Sequence, residues 1–341
     1  MTTAIRESLL RLSQKQDLTE TLVEKVIEDL LNENLTSTQI GGLLLGLSLK
    51  GETPEEIAAF AKALRRVSLK IKAPEGALDT CGTGGDGKGT FNISTTAAFV
   101  VAGAGVPVAK HGNRFSSGLC GSADVLEELG VCLASTPGEN EKQLQEIGMT
   151  FLFAQTYHPA MAKVAPQRRE LGIRTIFNLI GPLLNPANTP YQLLGVANPS
   201  LLPKMAKALQ LLGCQRGIVV IGEDGLDEVT LTGSTQAILI EGDELRPFSI
   251  QPEEYGFQRC TLQDLQGGSP KENRDITLRI LQGEKGPRRD IVILNAATAL
   301  FAAGKVSNIP EGIELATESL DSGKAFNILE RLRNFPKGGK S

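Results

Sequence analysis

Apolar positions across residues 4–70 recur at three- and four-residue spacing, which predicts helices throughout this stretch. Two helix starts are well signalled. In "TSTQ", Thr36 stands as N-cap with Gln39 three residues on. In "TPEE", Thr53 caps, Pro54 takes the first helical position and Glu56 completes a capping box. The most apolar run, "IGGLLLGLSL" at 40–49, is too short to cross a bilayer and predicts a buried helix. No strand signal precedes about residue 76.

From there the pattern changes to short apolar runs alternating with helical ones: "GALDTCG", "ISTTAAFVVAGAG", "VPVAKHG", "ADVLEELG", "MTFLFAQT". This βαβαβ rhythm, with glycine-rich turns after the strands, implies a mostly parallel sheet. Residues 159–188 break the rhythm with two helical segments and several prolines. "YQLLGVANP" and "GIVVIGE" resume the strands, and "EVTLTGSTQAILIEGDELRPFSI" reads as a meander turning at Gly233 and at Gly242–Asp243. The tail is helical, with one helix opened by "SPKE", Ser269 as cap and Glu272 at the third position. The predicted class is α/β, with a small all-helical N-terminal part and a larger part built on the parallel sheet.

Composition narrows the function classes. The 341-residue chain carries a net charge of −4 and no tryptophan, so neither a basic nucleic-acid surface nor a base-stacking platform is indicated. Its five cysteines form no C-x-x-C pair and read as reduced thiols of a cytoplasmic protein. No signal-peptide core or membrane span is expected.

The candidate chemistry centres on "DTCGTGGDGKGTFNIST" at 79–95. It nearly matches the phosphate-binding pattern G-x-x-x-x-G-K-[ST], but Gly89 stands where the metal-binding hydroxyl belongs. The dinucleotide pattern also fails, since "GTGGDG" has the wrong glycine spacing. The five glycines within 82–89 nonetheless let backbone N–H groups converge on an anion. "NISTT" then opens a helix, with Asn92, Ser94 and Thr95 at its positive end. A glycine-rich strand-to-helix connection with a cap would look the same.

A second loop, "VAKHGNRFSSGLCGSAD" at 108–124, offers Lys110, Arg114, Ser116, Ser117 and Ser122 around Gly112, Gly118 and Gly121. Two cations with hydroxyls and free amides would make a second phosphate-binding surface, suiting a substrate phosphorylated at both ends. The two histidines, His111 and His158, lie after apolar runs. Asp227 and Glu228, after "GIVVIG", either hold Mg2+ through carboxylate oxygens or form a solvated turn.

Together these pieces resemble the anthranilate phosphoribosyltransferase family over about residues 10–335. The resemblance rests on "GTGGDG" with "NIST", "KHGNR" with "GSADVLEELG", "FLFAQTYHPAMAKVAPQRRELGIRTIFNLIGPLLNP" and "DEVTL". It implies a homodimer of nucleoside phosphorylase/phosphoribosyltransferase-like fold. A helical domain at 1–73, with a returning segment at about 165–190, would stand against an α/β domain at 74–164 and 191–341. The reaction implied is transfer of the phosphoribosyl group of 5-phosphoribosyl 1-diphosphate to the amine of anthranilate, in tryptophan biosynthesis.

By the same resemblance the sugar diphosphate contacts Gly82, Gly85, Asp86, Thr90, Asn92, Ile93, Ser94 and Thr95. The second loop adds Lys110, His111, Gly112, Asn113, Arg114, Phe115, Ser116, Ser117 and Gly118, followed by Ser122. Anthranilate meets Gly82, Asn113, His158 and Arg168. Ser94, Asp227 and Glu228 hold Mg2+, up to two ions per subunit. No acid, base or nucleophile is required of the protein. Lys110, Asn113 and Arg168 act by position and charge, and Arg169 is the surface residue of the "QRRE" run. Phe115, Ser116, Leu119 and Cys120 depart from the family's usual pattern, as does Gln167. A phosphorolytic enzyme acting on pyrimidine nucleosides would lack the need for the "DE" pair and Arg168. A non-catalytic nucleic-acid-binding relative would need a basic surface.

Overall fold

The computed structural model describes residues 2–114 and 120–336. Four helices come first: α1 (Thr3–Ser13), α2 (Glu20–Leu31), α3 (Ser37–Lys50) and α4 (Pro54–Val67). Both expected capping boxes form, at Thr36 with Gln39 and at Thr53 with Glu56. Each cap satisfies backbone N–H groups that the helix cannot, an effect of about 1 kcal/mol. The run expected to be a buried helix is buried on one side only. Ile40, Leu43, Leu44 and Leu47 face inward, whereas Leu45 and Leu49 stay 40% and 76% exposed. Its leucines ring the helix, and a monomer has only one core to offer them.

Alternation follows: β1 (Leu78–Gly82), α5 (Ile93–Gly103), β2 (Val108–Gly112), α6 (Ser122–Glu128), α7 (Pro137–Glu146) and β3 (Met149–Phe153). The segment expected as two helical pieces is cut finer by its prolines and glycines. After α8 (Ala154–Tyr157) it forms α9 (Pro159–Ala162), α10 (Ala165–Leu171) and α11 (Ile176–Ile180), with a 3-10 turn at Gly181–Leu183. Then come β4 (Tyr191–Gly195), α12 (Leu201–Leu211), β5 (Arg216–Gly222), β6 (Thr235–Glu241) and β7 (Glu244–Ile250). The tail holds α13 (Pro270–Leu281), capped by Ser269 and Glu272 as expected, then α14 (Pro287–Ala302), α15 (Ile309–Asp321) and α16 (Lys324–Arg333).

One sheet of seven strands takes the order β3-β2-β1-β4-β5-β6-β7. β1 to β5 pair in parallel, and β6 and β7 add an antiparallel edge hairpin turning at Gly242–Asp243. The expected meander is therefore only this hairpin. "EVTL" is not a strand, because Val229 and Leu231 are buried from within a loop.

Strand alternation sorts side chains to two faces. Leu78, Val108, Met149, Leu193, Ile218 and Val220 face α5 and α14 in one core. Leu194, Val219 and Ile221 face the other way, and their core runs through α12 into α1–α4 and α11. Helices α10 and α11 thus lie against α3 and α4. The strand order reverses between β1 and β4, so the loops leaving their C-terminal ends diverge. A cleft at such a point is where open α/β sheets bind ligands.

Candidate active site

At that point β1 ends in Gly82 and the glycine-rich loop begins. Gly84, Gly85, Gly87 and Gly89 all take positive φ, 65° to 74°, which a side chain would strain. Successive amides in this geometry can face one anion. The far part of the loop is zipped to another segment: Thr90 bridges Gln266, and the Gly267 and Phe91 amides donate to the carbonyls of Gly89 and Leu265. Helix α5 then starts at Ile93. Ile93 and Thr95 are buried; the Ile93 amide donates to the Phe91 carbonyl at 2.7 Å, and Thr95 could meet an anion only through its backbone N–H. Asn92 makes no cap bond. Its Oδ1 instead accepts from Asn273 at 2.9 Å, and its Nδ2 donates to the Cys120 carbonyl at 3.3 Å, bracing the loop against α13.

The acid pair is brought over these strand ends by the loop between β5 and β6. Asp227 Oδ2 accepts from the Gly84 amide at 2.7 Å, and Glu228 Oε1 accepts from the Ser94 amide at 3.0 Å. This approach is possible because β1 and β4 end in glycine. A Cβ at Gly82 would lie 2.3 Å from Asp227 Oδ2, and one at Gly195 would lie 1.6 Å from the Asp227 carbonyl oxygen. Burial, and then Asp86 beside it, pushes Asp227 well above the usual carboxylate range. Burial, and then Asp227, does the same to Glu228. Three acids thus crowd one place with too little positive charge among them. Among the described residues no three His, Cys, Asp or Glu side chains converge as a complete metal site. The pair with the Ser94 hydroxyl makes a partial donor set of hard oxygens, which fits Mg2+ if a ligand completes the shell.

Lys110 sits where sequence reading did not put it. It is inside β2, 2% exposed, and its Nζ donates to the Thr80 carbonyl and, at 3.3 Å, to Ser94 Oγ. Burial lowers its pKa while Asp79, Cys81 and Glu228 pull it back up. It is a cation beneath the acid pair, on the same sheet face as α5, and not a solvated loop residue. Alternation sends His111 to the opposite face, where its ring meets His158 edge-on at 5.1 Å between centroids. Burial drives His111 down to about 3 and His158 to about 4, so both imidazoles are neutral. The Nε2 atom of each is buried with no hydrogen-bond partner among the described residues.

At the end of β2, the Asn113 carbonyl accepts from Ser122 Oγ at 3.3 Å, and Ser122 packs so closely on Gly112 that a Cβ there would lie 2.2 Å from its hydroxyl. Arg114 is turned to Asp124 and Glu127, both at 2.8 Å, so its charge is answered on α6 and not in the cleft. Phe115, Ser116, Ser117 and Gly118 lie outside the described residues. Across the cleft, Arg168 of α10 is half-buried over the Phe177 ring at 5.7 Å. Desolvation lowers its pKa, and no carboxylate offsets this among the described residues. Arg169 next to it is exposed.

Two residues were missed. Arg174 donates from Nη2 to the Gly84 carbonyl at 3.2 Å and from Nη1 to Gly85 at 3.4 Å. It turns those carbonyls away, and nothing local in "GIRT" signals this. Asn295 of α14 is 1% exposed, and a lone amide in "DIVILNAATAL" was a readable sign of a buried polar duty.

Known proteins share this architecture. Residues 6–68 match the helical bundle domain of the glycosyl transferase family and residues 74–326 its a/b domain. An anthranilate phosphoribosyltransferase of Desulfitobacterium hafniense strain Y51 is 75% identical over 333 residues, 98% of this chain and 99% of that protein. The crystal structure of the Thermus thermophilus enzyme of that name superposes with a TM-score of 0.91 at 45% identity, covering 98% of this chain and 99% of that one. The Saccharomyces cerevisiae enzyme, in complex with PRPP and Mg, gives 0.89 at 30% identity over 98% of each chain. With both parts of the glycosyl transferase family matched and three quarters identity along nearly the whole length, the chain belongs to the anthranilate phosphoribosyltransferase family.

Proposed function

We propose that the cleft at the C-terminal ends of β1, β2 and β5 is where this chain carries out the family's reaction. The phosphoribosyl group of 5-phosphoribosyl 1-diphosphate passes to the amine of anthranilate, giving N-(5-phosphoribosyl)anthranilate and diphosphate for tryptophan biosynthesis. One observation carries the assignment of the site: a glycine nest, a helix N-terminus and a crowded acid pair meet at the sheet's switch point.

The diphosphate is bound by the amides of the glycine nest that the acid pair leaves open, around Gly85 and Gly87, with Asp86, Thr90, Asn92 and Thr95 shaping the cradle. Asn113 and the loop that follows β2 as far as Ser122 bound the ribose phosphate. Ser94, Asp227 and Glu228 would hold Mg2+, up to two ions per subunit, with phosphate oxygens completing each shell. Bound there, Mg2+ neutralises charge gathering on the leaving diphosphate. The rest falls to this chain's residues. Cleaving the C1–O bond builds positive charge on the sugar and negative charge on the leaving oxygens, which preorganised amides stabilise without rearranging. Lys110 acts from beneath, as a buried cation that balances Glu228 and Asp79. Anthranilate's amine is already unprotonated at neutral pH, so no base is needed. Arg168 takes its carboxylate in a bidentate fork, which the lack of a carboxylate partner among the described residues leaves it free to do. Gly82 and Asn113 face the ring, and His158 lines its approach with an Nε2 that has no partner among the described residues.

Residues 1–73 with 165–190 form the helical half that stands against the α/β half, and the molecule works as a homodimer. Leu10, Leu45 and Leu49, 58%, 40% and 76% exposed, support the latter as apolar side chains on α1 and α3 that a partner could cover. Free cysteines and the absence, among the described residues, of any helix able to cross a membrane support a cytoplasmic setting. The test is loss of anthranilate fluorescence on mixing pure protein, Mg2+ and the sugar diphosphate. No decay under these conditions would overturn the assignment. Arg168→Ala should raise KM for anthranilate at least tenfold and move KM for the sugar substrate far less.

A further inference from the structure

The acid pair is carried by a loop, yet the peptide immediately after it is held as firmly as a strand. Val229 is fully buried but belongs to no strand. Asn295 takes the place of a strand neighbour. Its Oδ1 accepts from the Val229 amide at 3.0 Å, and its Nδ2 donates to the Val229 carbonyl at 2.7 Å. The second Nδ2 hydrogen goes to the Ile291 carbonyl one turn back at 2.9 Å, which fixes the amide plane on its own helix. Every donor of this buried carboxamide is therefore used, and two of its three bonds fall on the residue that follows Glu228. Asn295 also borders the small void lined by Thr80, Ser94, Leu193 and Glu228.

The neighbouring bonds give this clamp a direction. Asp227 and Glu228 are tied forward to Gly84 and Ser94, and behind them the loop is knotted by Asp224, which accepts from Thr230 and Thr232 hydroxyls and from the Leu226 amide. Between knot and carboxylates, Asn295 is the only side chain bonded to the Val229 backbone among the described residues. We propose that Asn295 is a positioning residue for the metal-holding acids, its carboxamide standing in for a missing strand so that Glu228 meets Ser94 at a fixed distance. This rests on the metal reading of the acid pair given above. An apolar residue of the same size would leave the Val229 amide and carbonyl unpaired in the core, and the peptide would turn to find partners and carry Glu228 with it.

The test measures Mn2+ binding in the presence of inorganic diphosphate, by electron paramagnetic resonance of free Mn2+, on the full chain. Asn295→Leu should weaken binding at least tenfold. Thr298→Val, one turn on in α14, removes only a bond within the helix to the Leu294 carbonyl and should leave it within twofold. Asn295→Asp keeps the acceptor and presents at most one donor, so it should fall between. If Asn295→Leu does not fold, Asn295→Asp decides: weakening of threefold or more supports the role, and unchanged or tighter binding overturns it. A folded Asn295→Leu that binds like the parent, or a Thr298→Val that weakens binding equally, overturns it too. A parent chain that binds no Mn2+ overturns the metal reading and this inference together, which separates the two failures.

Discussion

Gly195→Ala is the substitution that tests the site's construction most directly. It adds one methyl group at the end of β4, where the backbone angle itself is tolerant. The new Cβ would stand 1.6 Å from the Asp227 carbonyl oxygen and 2.4 Å from its carbon, whereas ordinary contact begins at 3.4 Å. The Asp227–Glu228 peptide must therefore retreat by about 1.8 Å, since the atoms it meets are backbone and cannot swing aside. Such a retreat breaks both the 2.7 Å bond to the Gly84 amide and the 3.0 Å bond to Ser94. Displacements near 1 Å can cost about 10²-fold in rate, so kcat/KM should fall by at least that factor. The Mg2+ concentration for half-maximal rate should rise with it. The assay is anthranilate fluorescence decay across a Mg2+ titration, with thermal denaturation to verify folding. Gly138→Ala is the control, since a Cβ there meets nothing within 4 Å. If Gly195→Ala kept its rate within threefold and its Mg2+ dependence, the acid pair would not be placed by glycine clearance.

The buried imidazoles predict an acid limb of stability. Their pKa values in the folded chain, about 3 for His111 and about 4 for His158, lie below the ordinary 6.5, so folding favours the neutral form. That contribution is full above pH 6.5 and is lost as pH falls toward 4 and then 3, at about 1.4 kcal/mol per unit for each ring. Replacing both histidines by glutamine should flatten the fall in denaturant midpoint between pH 7 and 5, and parallel curves would refute the sign. Leu45→Lys with Leu49→Lys should convert the particle to a 36.3 kDa monomer in sedimentation velocity. A parent already of that mass would refute the dimer, and a double variant still twice as heavy would refute the α1 and α3 face as its interface.

Much of the fold was legible because its signals are local. The boxes at Thr36, Thr53 and Ser269 need four residues each, and all three form. The switch from helical to alternating rhythm near residue 76 placed β1 within a few residues of its start at Leu78. What the sequence hid depends on long-range pairing. Lys110 reads as a loop cation because its neighbours His111, Gly112 and Asn113 are polar or small, and only the β2–β3 register buries it. "EVTL" reads as a strand because its apolar residues alternate, and only Asn295, 66 positions on, explains why they are buried without one. Asn92 reads as a cap, but a distant Asn273 claims its side chain. Arg114 reads as a phosphate ligand, yet α6 supplies two carboxylates ten and thirteen residues later that hold it in this structure.

The glycine endings of β1 and β4 have a consequence for how the molecule comes to life after synthesis. Gly82 pairs with Gly195, and the acid pair that nestles over both arrives 143 residues after the Gly84 amide it binds. Contacts so remote in sequence form late, after local helices have condensed. A refolding chain would regain most of its helical signal before it could chelate an ion, and activity would return only once β5 had docked. The acid corner thus doubles as a seal on the finished sheet, closed only once β1, β4 and the loop after β5 have met.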